Sequence, residues 1–396
     1  MGRDLWRYGG GSNRSALVVA GALSAASCGG SSPAPEREAT YFPPAGGPWA
    51  TVDLTEAGWD PVGVEAALSY AASQHSSAVL MVVHGRIAAE QYWALEPSQP
   101  VGPTTTYGVT GLFELDSLGR PIEDVMSVQK SAISVLLAMA RDKGLLNLDD
   151  PVSEHLGAGW SNATADAESA ILVRHLASMS SGLARDLSFE AEAGSRWRYN
   201  TLAYSRLLQV LEQSAVMTAE QLTREWLTAP LGMQQSGWRE RAWWTPASSA
   251  NTVGFATSAR DLARLGILVQ TGGVWEGETL VQNRGLLEES FRSSQDMNPS
   301  YGLLWWVNGQ DSWEDYDHRG SVPGSFIPTA PADLVAARGN GDRRLYVVPS
   351  LDLVVVRLGA PTLDAEGVQD LNVFDREFWR LLSVAAPTGH DQAAGD

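Results

Sequence analysis

The stretch "MSVQKSAISVLLAMARDKG", residues 126–144, decides how this chain is read. It holds both lysines of a 396-residue sequence in which 26 of the 28 Lys plus Arg are arginine. Lys130 stands three residues after Ser127, a spacing that puts both side chains on one face of a helix. The run "SAISVLLAMA" that follows is apolar nearly all round and predicts a buried central helix stopping at Gly144. A lysine facing such a core is costly while charged, and burial drives its pKa towards neutrality. The neutral amine can then take a proton from a serine hydroxyl, which an always-protonated guanidinium cannot do. Ser127 at the helix N-terminus also gains from the positive end of the dipole as it develops negative charge. The plainer alternative makes Ser127 a helix cap and leaves Lys130 in solvent. Ser-x-x-Lys alone recurs by chance, though less readily in a chain with two lysines. Lys143, in a polar helix end, reads as a dipole partner.

Working outward, the sequence either side predicts strands at both ends of the chain. Asp60-Pro61 reads as an N-cap and first-turn proline opening a helix through "VGVEAALSYAAS". "AVLMVVHGRIAAEQYW" predicts a hairpin around His84-Gly85, and residues 99–124 are turn-rich. From Ser127 to about Gln270 the periodicity is helical, including "TLAYSRLLQVLEQSA" and "SARDLARLGILVQ". "RRLYVVP" and "LDLVVVRLG" are β-branched runs joined at Pro349, and "DLNVFDREFWRLLSV" is a last amphipathic helix. The pattern implies an α/β domain, residues 46–125 with 275–386, interrupted by a mostly helical domain over 126–274. A polar tail, 387–396, follows.

Composition excludes several classes. A formal net charge of −18 and no basic cluster argue against nucleic acid or an anionic membrane surface as partner. No histidine pair has metal-ligand spacing, and no cofactor fingerprint occurs, so neither metal nor cofactor is expected. Gly-x-Ser-x-Gly is absent as well. Residues 1–45 read as an export segment and linker: Arg3, Arg7 and Arg14, then the apolar run 15–27, too short for the about 20 residues a membrane span needs. Cys28, the single cysteine, follows that run and resembles the lipidated Cys of a bacterial lipobox, with Ala25 where Leu is usual. The expectation is an exported protein, periplasmic or at the cell envelope, meeting the membrane only through a lipid at Cys28. Simple secretion is the alternative.

"DVMSVQKSAISVLLAMARDKGLLNLDDPVSEHL" resembles the active-site helix and following turn of serine β-lactamases related to class C. That group includes penicillin-binding proteins, family VIII esterases and 6-aminohexanoate-dimer hydrolases. "ILVRHLASMSSGL", "GSRWRYNTLAYSRLLQVLE", "SARDLARLGILVQTGGVWEG", "YGLLWWVNGQ" and "VVPSLDLVVVRLG" resemble its further elements in order, over roughly residues 50–385. The resemblance implies a β-lactamase/transpeptidase-like α/β (α+β) fold: a central antiparallel sheet flanked by helices, plus an inserted helical domain. It implies Ser127 as acylated nucleophile, Lys130 as its amine partner and Tyr199 as proton shuttle; a phenol beside a lysine can relay a proton if that cation lowers its pKa. The Tyr-x-Asn pattern ends here in Thr201 rather than Asn, with Asn200 one place earlier as a substitute.

The third box, Lys-Thr-Gly in penicillin-recognising enzymes, has no lysine to fill it. "AARGNGDRRLYVVP" resembles the Ala-x-Gly variant of the esterase and amide-hydrolase branches. Gly339 would admit the substrate backbone, and the N–H of Asn340 or a neighbour would complete an oxyanion hole with that of Ser127. Arg338 or Arg343 would receive a substrate carboxylate. "DHRG" at 317–320 imitates a His-x-Gly box and carries less weight, since no strand follows. The expected function is an exported acyl-enzyme serine hydrolase acting on an ester or a small linear amide. The alternatives are a D-Ala-D-Ala carboxypeptidase or β-lactamase activity and, from another class, an inactive surface lipoprotein binding peptidoglycan peptides.

Overall fold

The computed structural model describes residues 39–102, 105–241, 252–316, 320–363 and 372–387. Cys28 and His318-Arg319 of the "DHRG" loop lie outside the described residues. Helix α1 (Pro61–Ser73) starts as expected, the Asp60 carboxylate accepting the Val62 and Gly63 N–H groups. Strands β1 (Ser76–Val83) and β2 (Arg86–Tyr92) form the hairpin. Its two central residues, His84 and Gly85, have φ of +47° and +79°, the pairing a two-residue primed turn requires. Strands β3 (Leu112–Leu115) and β4 (Pro121–Asp124) lead to helix α2 (Val128–Asp142). Helix α3 (Thr201–Ala215), strands β5 (Gly237–Glu240) and β6 (Val253–Ser258), and helix α4 (Ala259–Gln270) follow. The chain ends through β7 (Trp306–Val307), β8 (Val335–Gly339), β9 (Arg343–Val348), β10 (Leu353–Gly359) and helix α5 (Val373–Val384).

Six strands make an antiparallel sheet in the order β7-β8-β9-β10-β1-β2. Strands β1, β9 and β10 are buried throughout, as an apolar run without alternation demands when both faces are covered. Neighbouring residues of β9 identify the covers. Leu345 packs with Val354 beneath Gly266 of α4, where an added Cβ would fall 2.4 Å from Val354 Cγ1. Tyr346, on the opposite face, stacks on Phe378 and meets Trp379 of α5, which in turn packs on α1. Trp305 and Trp306 are buried in the core.

A second antiparallel sheet, β3-β4-β6-β5, takes two short strands from the mostly helical stretch between Ser127 and Gln270. Its strands from that stretch are only four and six residues long, too short to carry a pattern. Helix α2 links the parts, contacting β8 and β9 on one side and α3 on the other. Ser131 and Ser134 donate to the carbonyls of Leu304 and Leu303 at 2.7 and 2.6 Å, which satisfies the polar groups on a buried helix.

On the α5 face, buried Arg338, Arg344 and Arg357 stand in register across β8, β9 and β10. Asp375 of α5 takes Arg344 Nε at 2.7 Å and Arg338 Nη2 at 3.1 Å, and accepts the Tyr346 hydroxyl. Asp375→Ala is therefore expected to destabilise the protein by about 3 kcal/mol, because buried Arg338 and Arg344 both lose a carboxylate and Arg344 keeps only Asp342. Urea unfolding followed by tryptophan fluorescence measures it; a loss below about 1 kcal/mol would refute the assignment.

Candidate active site

Three residues turn the chain from β4 into α2, and they set the site. Met126 has φ of +52°, a conformation a non-glycine residue holds only under constraint. Asp124 supplies the constraint, its Oδ1 accepting the Met126 N–H at 2.9 Å. Ser127 then sits at the helix N-cap position, half-buried, with its hydroxyl capping nothing. Among the described residues its N–H has no backbone acceptor.

Lys130 lies one turn along, 1% exposed, and its Nζ is 2.9 Å from Ser127 Oγ. The faces of Tyr204 and Tyr199 enclose it, with ring centroids 4.4 and 5.0 Å from Nζ. Burial, and then the charge of Arg241, bring its pKa down from 10.5 to about 7. Arg241 reaches the site from just beyond β5 and is itself fixed. It donates from Nη2 to Asp124 Oδ1 at 2.8 Å and to Gln129 Oε1 at 3.1 Å. Gln129 Nε2 donates to the Tyr204 hydroxyl at 3.2 Å. Asp124, Gln129, Tyr204 and Arg241 are the members sequence reasoning missed; only Gln129, inside the Ser-x-x-Lys spacing, left a local signal.

Tyr199 precedes α3 and shares a hydrogen bond with the Ser127 hydroxyl. Its ring stacks on Trp306 at 6.4 Å and 25° and meets Tyr301 edge-on. The expected acid phenol is not found. Burial pushes its pKa up to about 12, against the smaller opposing effects of the Ser127 bond and the Arg338 charge. Lys130 Nζ stands 5.0 Å from the centre of the ring, and burial outweighs the groups that favour the phenolate. A neutral phenol relays a proton through its hydrogen bond and leaves the base role to the amine.

Gly339 ends β8 directly against this turn. A Cβ there would stand 2.4 Å from Val125 O and 3.3 Å from Ser127 N, so glycine is what lets the strand approach the nucleophile. Asn340 follows it, exposed, at the start of the turn 340–342. Thr201 is the first residue of α3, half-buried.

Three expected substrate residues are corrected. Asn200 is 2% exposed and caps α3 through Oδ1, while its Nδ2 donates to the carbonyls of Leu183 and Ala184, both at 2.9 Å. Its amide has nothing left for a substrate. Arg343 is 1% exposed and bonds Glu123 Oε2 at 3.0 Å, so it cannot receive a substrate carboxylate. The same holds for Arg338, buried and bound to Asn372 and Asp375. Glu123 is fully buried and also accepts the Ser77 and Tyr107 hydroxyls and the Gly359 N–H.

A Ser-x-x-Lys helix set between an antiparallel sheet and a helical region, with a glycine-ended strand beside the serine, defines the β-lactamase/transpeptidase-like class of fold. The chain belongs to the β-lactamase family, whose sequence model matches residues 64–360. A provisionally assigned β-lactamase of Bacteroides dorei superposes with a TM-score of 0.61 at 15% identity, covering 84% of this chain and 100% of that one. A provisionally assigned 6-aminohexanoate-dimer hydrolase of Bacillus anthracis gives 0.59 at 12%, covering 88% and 90%. A hydrolase with promiscuous acyltransferase activity gives 0.56 at 18%, covering 81% and 98%. At these identities the likeness is one of fold.

Proposed function

We propose that the protein is an acyl-enzyme serine hydrolase acting on an uncharged ester or a small linear amide. The observation that carries it is the Ser127 hydroxyl held between the Lys130 amine at 2.9 Å and the Tyr199 phenol. Neutral Lys130 takes the Ser127 proton as Oγ bonds to the substrate carbonyl carbon, and the carbonyl oxygen becomes an oxyanion beside the Ser127 N–H. Collapse expels the alcohol or amine, which receives the proton through Tyr199. Water then attacks the acyl-serine, giving up a proton to the same relay and releasing the acid.

The substrate preference rests on charge. Ala337 stands where the third-box lysine would be, and Arg338 and Arg343 are buried and paired. Among the described residues neither arginine is left to hold the carboxylate of a penicillin or a D-Ala-D-Ala peptide, which favours an uncharged substrate.

The test compares p-nitrophenyl butyrate, the uncharged amide butyryl-p-nitroanilide and the carboxylate-bearing nitrocefin, with fluorophosphonate labelling followed by peptide mass spectrometry. Turnover of the ester or the amide above nitrocefin, with the adduct on Ser127, is expected. No label, and no difference between wild type and Ser127→Ala, would end this reading. The pH profile supplies a separate prediction. The reactive amine gains population as pH rises through about 7, so kcat/KM should climb there and level off above. A profile that falls across that range would contradict Lys130 as the base.

A further inference from the structure

Gly339, Asn340 and Gly341 carry the third box into its turn, and a different arginine holds each of their carbonyls. Arg344 Nη1 donates to Gly339 O at 2.9 Å, Arg343 Nη1 to Asn340 O at 2.9 Å, and Arg357 Nη1 to Gly341 O at 2.7 Å. The three arginines are at most 1% exposed. They approach from both faces of the sheet: Arg343 bonds Glu123 on the α2 side, while Arg344 and Arg357 stand opposite each other on the α5 side. Like charges directly opposite in a sheet repel, and burial raises the cost. Asp342, between them, offsets it by accepting Arg344 Nη2 at 3.0 Å.

A turn whose leading residue, Asn340, is exposed could leave its carbonyls to water. Space has instead been cleared for the guanidiniums. A Cβ on Gly111 would fall 2.2 Å from Arg343 Nη2, and one on Gly341 1.9 Å from its Nη1. The fork of a guanidinium can bond a carbonyl and a carboxylate at once, which the point charge of a lysine does less well.

We propose that Arg343, Arg344 and Arg357 are positioning residues that lock the 339–341 backbone, so that the Asn340 N–H stays set beside the Ser127 N–H for the developing oxyanion. Donors held in place before reaction need no reorganisation when the charge appears. The inference rests on the hydrolase reading above, and it gives arginine a local reason over lysine at these three positions.

Arg343→Lys keeps a charge beside Glu123 but gives up the fork. Its kcat on p-nitrophenyl butyrate should fall about 10- to 100-fold with KM little changed, and affinity for a boronic acid that forms a tetrahedral adduct on Ser127 should fall in parallel. Gly111→Ala displaces the guanidinium without removing it and should show the same signature; it also serves if Arg343→Lys fails to fold. Amide exchange of the 339–342 peptide, which needs no turnover, should quicken in both. Unchanged exchange, kcat within about twofold of wild type, or a kcat loss without weaker boronate binding overturns the positioning role while the hydrolase reading stands. A wild type that turns over no ester or amide overturns that reading, and the catalytic role with it.

Discussion

Lys130→Met should lose about 10³-fold or more in kcat/KM and yet melt at a higher temperature than wild type, with the larger gain at low pH. The activity loss follows from removing the group beside Ser127 Oγ that can accept its proton near neutrality. The stability gain follows from what burial costs the lysine. Its pKa lies near 7 in the folded chain against 10.5 when exposed. Below about pH 7 the amine is charged in both states, and the folded state bears the full penalty of an ammonium held between two tyrosine rings. Between about 7 and 10.5 the folded amine is neutral while the unfolded one is still charged, so the penalty shrinks as pH rises. Methionine has neither state and a similar length. Melting curves at about pH 6 and about pH 9 test the sign, and a gain that is larger at the higher pH would rule the argument out. Lys130→Arg should be as inactive as the methionine variant and less stable than wild type, since a guanidinium cannot neutralise itself there.

The same residues show why part of this site was legible in the sequence and part was not. Ser127, Lys130 and Tyr199 announce themselves through helical spacing, the scarcity of lysine and an ordered set of neighbours. The structure puts them together, because those signals are local to two helix starts. The hairpin at His84-Gly85, the Asp60 cap and the bounds of α3 are equally local and equally readable. Arg343 is different. Beside Gly339 it looks like a hook for a substrate, and only Glu123, 220 residues earlier, decides that it is an internal brace. Asn200 misleads in the same way: an amide next to Tyr199 suits a substrate, but its position before α3 makes it a cap. The acidity of Tyr199 depended on how deeply the phenol is buried, a matter of packing that spacing does not encode. The second sheet was lost for a related reason. Its strands come from segments separated by helices, and β6 pairs with β4 across the whole of α2 and α3.

Gly339→Ala is the second large effect, expected to cost about 10²–10³-fold in kcat with much less change in KM. The backbone at Gly339 is ordinary extended chain, with φ of −123°, so alanine brings no conformational strain. The obstacle is contact. The new methyl group would be 2.4 Å from Val125 O, and that carbonyl is already fixed, since it accepts the Val128 N–H that starts α2. Val125 N–H in turn donates to Phe255 O in β6, so the turn has little room to yield. Strand β8 must then move away from α2, which separates the Asn340 and Ser127 amides proposed above as the oxyanion donors. Ground-state binding depends less on that spacing than the tetrahedral intermediate does, which places the loss in kcat. Gly277→Ala is the matching control. Its φ of +83° makes alanine strained, but no atom lies within 4 Å of the added Cβ. It should cost about 1 kcal/mol of stability and leave kcat unchanged. Ester kinetics and melting temperatures on the two variants separate the cases, and a Gly339→Ala enzyme within about threefold of wild-type kcat would show that β8 is not held against the nucleophile as described.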